Sequence, residues 1–205
     1  MSDHLAVYSF LIATLKEIVK ESKKRAISDP PDNLILSNLN FYSKAYLISL
    51  CTYLEAFLQD LAAAYVDQVS ERIAAAKIPG NMVRWSIQRD TKEKEYEFEF
   101  FRLPLTREDL EGEISGNPGR TISIFKKIGI DLASDPDFQN TKSVVGAVVE
   151  KRNRIIHKND EAADLSLDDI ITFADQFLLY MNAVNAVVIN NHLRAIQQQD
   201  SEDGS

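Results

Sequence analysis

Residues 37–69 read SNLNFYSKAYLISLCTYLEAFLQDLAAAYVDQV, and this stretch decides the fold. Its apolar residues return every three or four positions, the spacing that places side chains on one face of an α-helix. The pattern predicts a long core helix, which continues through VDQVSERIAAAK and ends at Pro79 and Gly80. The core face of this helix comprises Leu47, Leu50, Cys51, Leu54, Phe57, Leu58 and Leu61.

The same periodicity recurs on both sides of this stretch and predicts three more long helices. The first lies at the start of the chain and is ended by DPPDN at residues 29–33, because prolines break a helix. Another covers residues 141–157, and the last begins after Ser166, an N-cap with Asp169 three residues later. The stripes of the first and last helices comprise Leu5, Tyr8, Ile12, Leu15 and Val19, and Leu167, Ile170, Ile171, Ala174, Phe177, Leu178, Met181 and Val188.

Residues 81–105 interrupt the helical pattern. The segment EYEFEFF, residues 95–101, alternates charged and aromatic side chains with the two-residue period of a half-buried strand. It predicts a small β-hairpin or an extended insertion. After it, Thr106 and Asp109 have the spacing of a capping box before a short helix, GNPGR predicts a loop, and TISIFKKIGI predicts another short helix.

We therefore expect an all-α fold, a bundle of about four long helices with short extra helices and the β-hairpin or extended insertion. A single domain should cover residues 1–198, with residues 81–105 as its extended insertion. The polar residues 199–205 should form a disordered tail.

The composition limits which binding partners and which cellular compartment are expected. A formal net charge of −8 is unlike that of a general nucleic-acid coat, although it allows an enzyme that contacts RNA at one basic spot. Charges interrupt every apolar stretch within about 18 residues, so we expect no membrane span. The N-terminal stretch predicts an amphipathic helix rather than a signal peptide. The single cysteine, Cys51, cannot form an internal disulfide, and the cytoplasm is the expected compartment.

The sequence has no motif for a cofactor or a metal. It contains no glycine-rich phosphate loop, no paired Cys or His spacing of a zinc site, and no Glu-x-x-His pair of the di-iron type. Two of its three histidines, His4 and His192, are expected to lie at the surface without a role. Only His157 has polar neighbours that suggest chemistry.

Those neighbours lie in EKRNRIIHKND, residues 150–160. Arg152 falls in the middle of the core stripe of its helix, and a charged side chain that faces inward must be paired or must line a cleft. Asn153 and His157 are four residues apart, so the amide can orient the imidazole. The helix C-terminus also favours a protonated ring, which suits His157 to proton transfer. The stripe itself comprises Val145, Val148, Val149, Ile155 and Ile156.

Arg152 and His157 are five residues apart, which is about 140° around an ideal helix. They cannot both point into one narrow spot unless the helix distorts or Arg152 wraps around it. Two copies of the chain that meet across a two-fold axis would also bring the motifs together. This spacing, together with the family resemblance described next, favours a homodimer.

The string Arg152-Asn153-Arg154-Ile155-Ile156-His157 resembles the R-(polar)-x-x-x-H signature of HEPN domains, helix bundles that include many RNA-cleaving toxins. The long-helix stretch 37–69, and NPGRTISIFKKIGI followed by VVEKRNRIIH, resemble the bacterial RiboL-PSP-type HEPN subgroup. The resemblance covers most of residues 35–190, and residues 81–105 are the part least like the family.

The resemblance implies a HEPN-like bundle and metal-independent RNA cleavage, in which the 2′-hydroxyl attacks the adjacent phosphate. His157 would transfer the proton, Arg152 would stabilise charge on the phosphorane, and Asn153 would position His157 or a phosphate oxygen. Arg154 and Lys158 would hold the RNA backbone. The chain departs from some HEPN toxins at Asn159, where they have a tyrosine modified by a nucleotidyltransferase antitoxin. That mode of inhibition is not carried over.

Two other interpretations stay open. Arg152 can be the ion-pair partner of Glu55 on the long helix, with His157 a plain helix terminus, in a catalytically inactive HEPN domain that dimerises or binds a partner. A helical adaptor unrelated to HEPN proteins is the second. The sequence names no RNA target, and an antitoxin or a defence-system protein is left open as a partner.

Overall fold

A computed structural model describes residues 2–89, 98–158 and 164–202. Within these ranges the chain has helices and no strand. In chain order they are α1 (Ser2–Ala26), α2 (Asn33–Leu36), α3 (Leu39–Ala75), α4 (Gly80–Ile87), α5 (Arg107–Glu111), α6 (Pro118–Lys127), α7 (Pro136–Lys158) and α8 (Leu167–Glu202). The all-α prediction is confirmed.

The four long helices α1, α3, α7 and α8 pack around one apolar core. Every residue of the predicted α3 stripe is fully buried. The fully buried residues of the other two stripes are Ile12 and Val19 of α1 and Phe177, Met181 and Val188 of α8, whereas Ile171 and Leu178 are half-buried. Two ion pairs join α1 to α8, Lys16 with Asp175 and Lys23 with Asp168. The residue later in α1 pairs with the residue earlier in α8, so these two helices are antiparallel. The periodicity therefore identified the core-facing sides of the helices correctly.

The end of α3 differs from the prediction. The helix stops at Ala75 rather than at Pro79, and Lys77 takes a left-handed backbone conformation with φ of 50° that ends it. Pro79 and Gly80 do not stop α3; they start α4, with Pro79 just before the first helical residue. A proline suits this position, because a backbone N–H at the start of a helix has no partner within the helix and its absence costs nothing.

The insertion is partly helical. α4 occupies its first part, and Trp85 on this helix is 60% exposed. Phe100 forms an isolated antiparallel bridge to Pro79, so no regular strand forms in the described part of the insertion. Residues 95–97 of the predicted strand lie outside the described residues. The predicted β-hairpin is thus replaced, where it can be described, by one short helix and one bridge.

Some helix starts were predicted correctly from the sequence and others were not. The predicted capping boxes of Thr106 with Asp109 and of Ser166 with Asp169 are both present. α7 begins five residues earlier than predicted, because Asp135 caps it through a 2.8 Å bond from the Phe138 amide. GNPGR is not simply a loop, since Asn117 caps α6, which starts at Pro118.

Two helices meet the length and composition of a membrane span, contrary to the expectation from the charges. They are Leu39–Ala75 and Leu167–His192, and 50% and 44% of their most apolar stretches are buried inside the protein. Core helices of a bundle have the same properties. α8 is described to Glu202, while the predicted domain limits and the tail over residues 199–205 stay predictions.

Candidate functional site

The candidate site lies where α7 crosses the middle of α3. Arg152 of α7 reaches across to Glu55 of α3, with 2.7 Å between Nη2 and the carboxylate oxygen Oε2. The Arg152 side chain is 17% exposed and that of Glu55 is 31% exposed. The inward position of Arg152 and the pairing with Glu55, both considered from the sequence, are thus present in the structure. Their chemical roles stay predictions.

The hydrogen bonds of Arg152 fix the plane of its guanidinium. Nη1 donates to Oδ1 of Asn153 at 3.0 Å, and Nη2 donates to Glu55. Nε is buried and has no hydrogen-bond partner. A guanidinium carries five N–H groups, so each terminal nitrogen has one N–H beyond those bonded to Glu55 and Asn153, and the Cys51 sulfur lies beside the guanidinium. Two such donors in one plane suit the two oxygens of a phosphate.

Cys51 lies one turn before Glu55 on α3 and is fully buried beside the ion pair. Burial raises the pKa of its thiol to about 12, although the nearby Arg152 guanidinium acts in the opposite direction. The thiol is therefore neutral at physiological pH and a poor nucleophile. It forms part of the apolar wall against which Arg152 packs.

Gly116, between α5 and α6, closes the same region from another side. A Cβ atom at this position would lie 3.3 Å from Cγ2 of Val149 and 3.7 Å from Cδ2 of Leu54. These two residues precede Arg152 and Glu55 on their helices. The close approach of the Gly116 backbone therefore packs the connection between α5 and α6 directly against the helices that carry the ion pair.

His157 is not brought to Arg152 within one chain. Its side chain is exposed, one residue before α7 ends, while Arg152 faces α3. No hydrogen bond joins Asn153 to His157 in the described parts of the chain, and the Asn153 oxygen accepts from Arg152 instead. Ile156, placed by the sequence in the core stripe, is 48% exposed, so that assignment is wrong.

The other predicted residues of the site lie around the end of α7. Arg154 is exposed and lies 3.5 Å from the carboxylate of Glu150, one turn earlier. The side chain of Lys158 lies outside the described residues, and so does Asn159. In the described ranges no cluster of three or more metal-binding side chains occurs.

A depression of about 630 Å³ lies at the same end of the bundle, but it is not the Arg152 site. The end of α1, the start of α3 and residues 164–168 line it, and neither Arg152 nor His157 does. Its walls are mainly apolar, with Lys23 and Asp168 at one side. The Arg152 site and this depression are therefore separate places on the surface of the bundle.

Two neighbours of Arg152 were not expected from the sequence as parts of the site. Cys51 could have been found, because it lies four residues before Glu55 and shares its helix face. Gly116 gave no signal, since its contact with Leu54 and Val149 joins segments that are far apart in the chain. Only the tertiary packing shows that contact.

A family model described as RiboL-PSP-HEPN matches residues 9–190 of the chain. The match includes α3, α7 and every residue described above around Arg152. No curated protein and no solved structure gives a match.

Proposed function

The chain belongs to the RiboL-PSP-HEPN family, whose HEPN domains are typically ribonucleases, and from this premise we propose that it is a metal-independent endoribonuclease. It cleaves RNA through attack of the substrate's own 2′-hydroxyl on the adjacent phosphate. The observation that carries the proposal is the guanidinium of Arg152, which Glu55 and Asn153 hold in place and which has a further N–H on each terminal nitrogen.

Arg152 stabilises the transition state in this reaction. The attack of the 2′-oxygen places additional negative charge on the non-bridging oxygens of the phosphorane. The remaining N–H groups of Arg152 donate to those oxygens, and because Glu55 already fixes the guanidinium, little reorganisation is needed. Donors of this kind typically contribute about 100-fold or more in rate.

His157 transfers a proton. Its exposed imidazole can protonate the 5′-oxygen as this oxygen leaves, or accept the proton of the attacking hydroxyl. Because His157 lies away from Arg152 on α7, a second copy across a two-fold axis supplies the arrangement in which the two side chains face one phosphate. Arg154 and Lys158 contact the RNA backbone on either side.

The test is digestion of RNA by the purified protein with and without EDTA. We expect fragments that end in a 2′,3′-cyclic phosphate and begin with a 5′-hydroxyl, at rates that EDTA leaves unchanged. DNA of the same sequence should resist, because it lacks the attacking hydroxyl. Fragments with a 3′-hydroxyl, or equal cleavage of DNA, would contradict the mechanism.

A catalytically inactive HEPN module is the second candidate. The observation in its favour is that Glu55 neutralises the charge of Arg152, as in an ion pair that serves only to join α3 and α7. This candidate predicts that RNA remains intact under all conditions, while the protein still dimerises or binds a partner. The digestion experiment distinguishes the two.

The cellular setting that fits an RNA-cleaving HEPN domain is a cytoplasmic toxin or a defence effector that needs restraint. An antitoxin or another defence-system protein would then be a partner. Co-purification of the tagged chain with a protein encoded beside it, and loss of cleavage in that complex, would support this setting. Growth unaffected by expression of the active chain would contradict it.

A further inference from the structure

Cleavage by a 2′-hydroxyl requires two proton transfers. The attacking hydroxyl loses a proton, and the leaving 5′-oxygen gains one. Of the three residues assigned to the reacting phosphate, only His157 has a side chain that can both accept and donate a proton; the Arg152 guanidinium has no acceptor, and the Asn153 amide is not an acid or a base. The other transfer needs a second group, which is either the second copy of His157 in the proposed dimer or another side chain beside Arg152.

Glu55 lies where such a group is needed. Its Oε2 is 2.7 Å from Nη2 of Arg152, so a phosphate bound by the remaining N–H groups of Arg152 lies next to the carboxylate. Its Oε1 makes no hydrogen bond within the described ranges. With 31% of the side chain exposed, the carboxylate is not sealed inside the ion pair and can meet a ligand.

The other side chains at this point are unsuited to accept a proton. Cys51 is buried and neutral, because burial raises its pKa to about 12. The Asn153 oxygen is an amide that already accepts from Arg152. Lys151, on the same turn of α7, is ion-paired with Asp164 at 2.5 Å. Of the described side chains that contact Arg152, Glu55 alone is a carboxylate.

We propose that Glu55 is the general base of the cleavage reaction and His157 the general acid, an inference that rests on the proposed ribonuclease function. The Glu55 carboxylate takes the proton of the 2′-hydroxyl while the 2′-oxygen forms a bond to phosphorus. The bond from phosphorus to the 5′-oxygen breaks, and protonated His157 gives its proton to that oxygen. Glu55 is left protonated and His157 neutral, and exchange with water restores both.

The experiment compares two substrates with one mapped cleavage site. The first is an ordinary RNA oligonucleotide, and the second has sulfur in place of the 5′-oxygen at the cleaved bond. A thiolate leaves without a proton because thiols are far more acidic than alcohols. The second substrate therefore needs a general base but no general acid.

Glu55→Gln should lower the rate by about 100-fold or more on both substrates, because the base is lost while one oxygen remains to accept from Arg152. His157→Ala should fail on ordinary RNA and recover on the sulfur substrate. Glu17→Gln is the matched control: Glu17 is ion-paired with Lys20 at the same 2.7 Å, on the exposed surface of α1. It should cleave both substrates at the wild-type rate.

If the Glu55→Gln protein cleaves ordinary RNA within a few-fold of the wild-type rate, the assignment is overturned. It is also overturned if this protein fails on ordinary RNA but cleaves the sulfur substrate at the wild-type rate. If Glu55→Gln loses its helical circular dichroism, Glu55→Asp replaces it. The aspartate side chain is shorter by one methylene, so the cleavage rate of Glu55→Asp should fall by about tenfold on both substrates. An unchanged rate would again overturn the assignment. A wild-type protein that leaves RNA intact contradicts the proposed function itself.

Discussion

Replacement of Arg152 tests whether RNA cleavage depends on the planar guanidinium beside Glu55. The guanidinium is planar and donates to Glu55 and Asn153, and in the proposed reaction it also binds a phosphate, whereas an ammonium is a point charge that cannot reproduce this arrangement. We expect Arg152→Lys and Arg152→Ala each to lower RNA cleavage by about 100-fold or more. Digestion of a labelled RNA measures this.

The same two variants should also differ in stability. Arg152→Ala leaves the half-buried Glu55 carboxylate without its partner and should lower the free energy of unfolding by about 1–3 kcal/mol. Arg152→Lys keeps a cation near Glu55 and should lose less. Urea denaturation followed by circular dichroism measures both. A stable Arg152→Lys protein that cleaves at the wild-type rate would show that the planar contact is not needed.

His157 should behave differently from Arg152, because its side chain is exposed and holds no other residue in the described ranges. His157→Ala should abolish RNA cleavage and leave the urea midpoint unchanged. Asn153→Ala should reduce cleavage less, since it removes an orienting hydrogen bond rather than a reacting group. Cleavage at the wild-type rate by His157→Ala would favour the inactive-module interpretation.

At the residue scale, the sequence predicted which side of a helix faces the core better than it predicted which residues on that side are buried. Arg152 was placed inward by the stripe that runs through Val148 and Val149, and this is confirmed. Ile156 lies on the same arc of α7 but is exposed, because the helix ends two residues later and its neighbours no longer cover it. Periodicity gives the direction of a side chain and not the length over which another helix packs against it.

At the scale of helices, Asp60 joins three of them. Tyr8 of α1 donates to Asp60 of α3 at 2.6 Å, and Arg107 of α5 pairs with the same carboxylate. Partial burial acts to raise the pKa of Asp60, but the hydrogen bonds from Tyr8 and Arg107 outweigh it, so the pKa lies below its ordinary value. Burial and the bond to Asp60 raise the pKa of Tyr8 to about 12.

A lowered pKa in the folded state means that Asp60 stabilises the fold above the ordinary pKa of an aspartate, about 4. This stabilisation is lost as pH falls through the lower, folded-state pKa. Asp60→Asn should therefore melt at a lower temperature than the wild type near pH 7, and the difference should shrink below about pH 4. Thermal melts from pH 7 to pH 3 measure it, with the exposed Asp67→Asn as control. A difference that is independent of pH would contradict the role.

Helix termini show what local sequence can and cannot specify. The Thr106 and Ser166 caps were predictable, because a hydroxyl followed three residues later by an aspartate is a local signal. The early starts of α6 and α7, which begin at Pro118 and Pro136, were not predicted from the sequence. Each proline is the first residue of its helix, a position where the missing N–H costs nothing.

At the scale of the whole molecule, the separation of Arg152 and His157 predicts a two-fold dimer with both copies of each residue near the axis. Light scattering at micromolar concentration should give twice the mass of the 23.1 kDa chain. Mixing Arg152→Ala and His157→Ala proteins, each inactive alone, should restore part of the activity, since one mixed site can receive both side chains. A monomer with full activity would contradict the dimer.

The family and the helical architecture followed from patterns that extend along the chain, such as the α3 stripe and the Arg152 to His157 spacing. The insertion did not, because its alternation of charged and aromatic residues is a strand signal that the described backbone does not follow. α4 buries none of its residues, so no apolar stripe marks it in the sequence.

The chain contains one tryptophan, Trp85, and it stands on the exposed surface of α4. α4 follows the end of α3 that lies about 30 Å from Glu55, because 20 residues separate Glu55 from Ala75. Intrinsic fluorescence excited at the indole is therefore a natural, label-free reporter of one end of the molecule. We expect a ligand at the insertion to change the emission and a ligand at Arg152 alone to leave it unchanged, so one titration distinguishes the two locations.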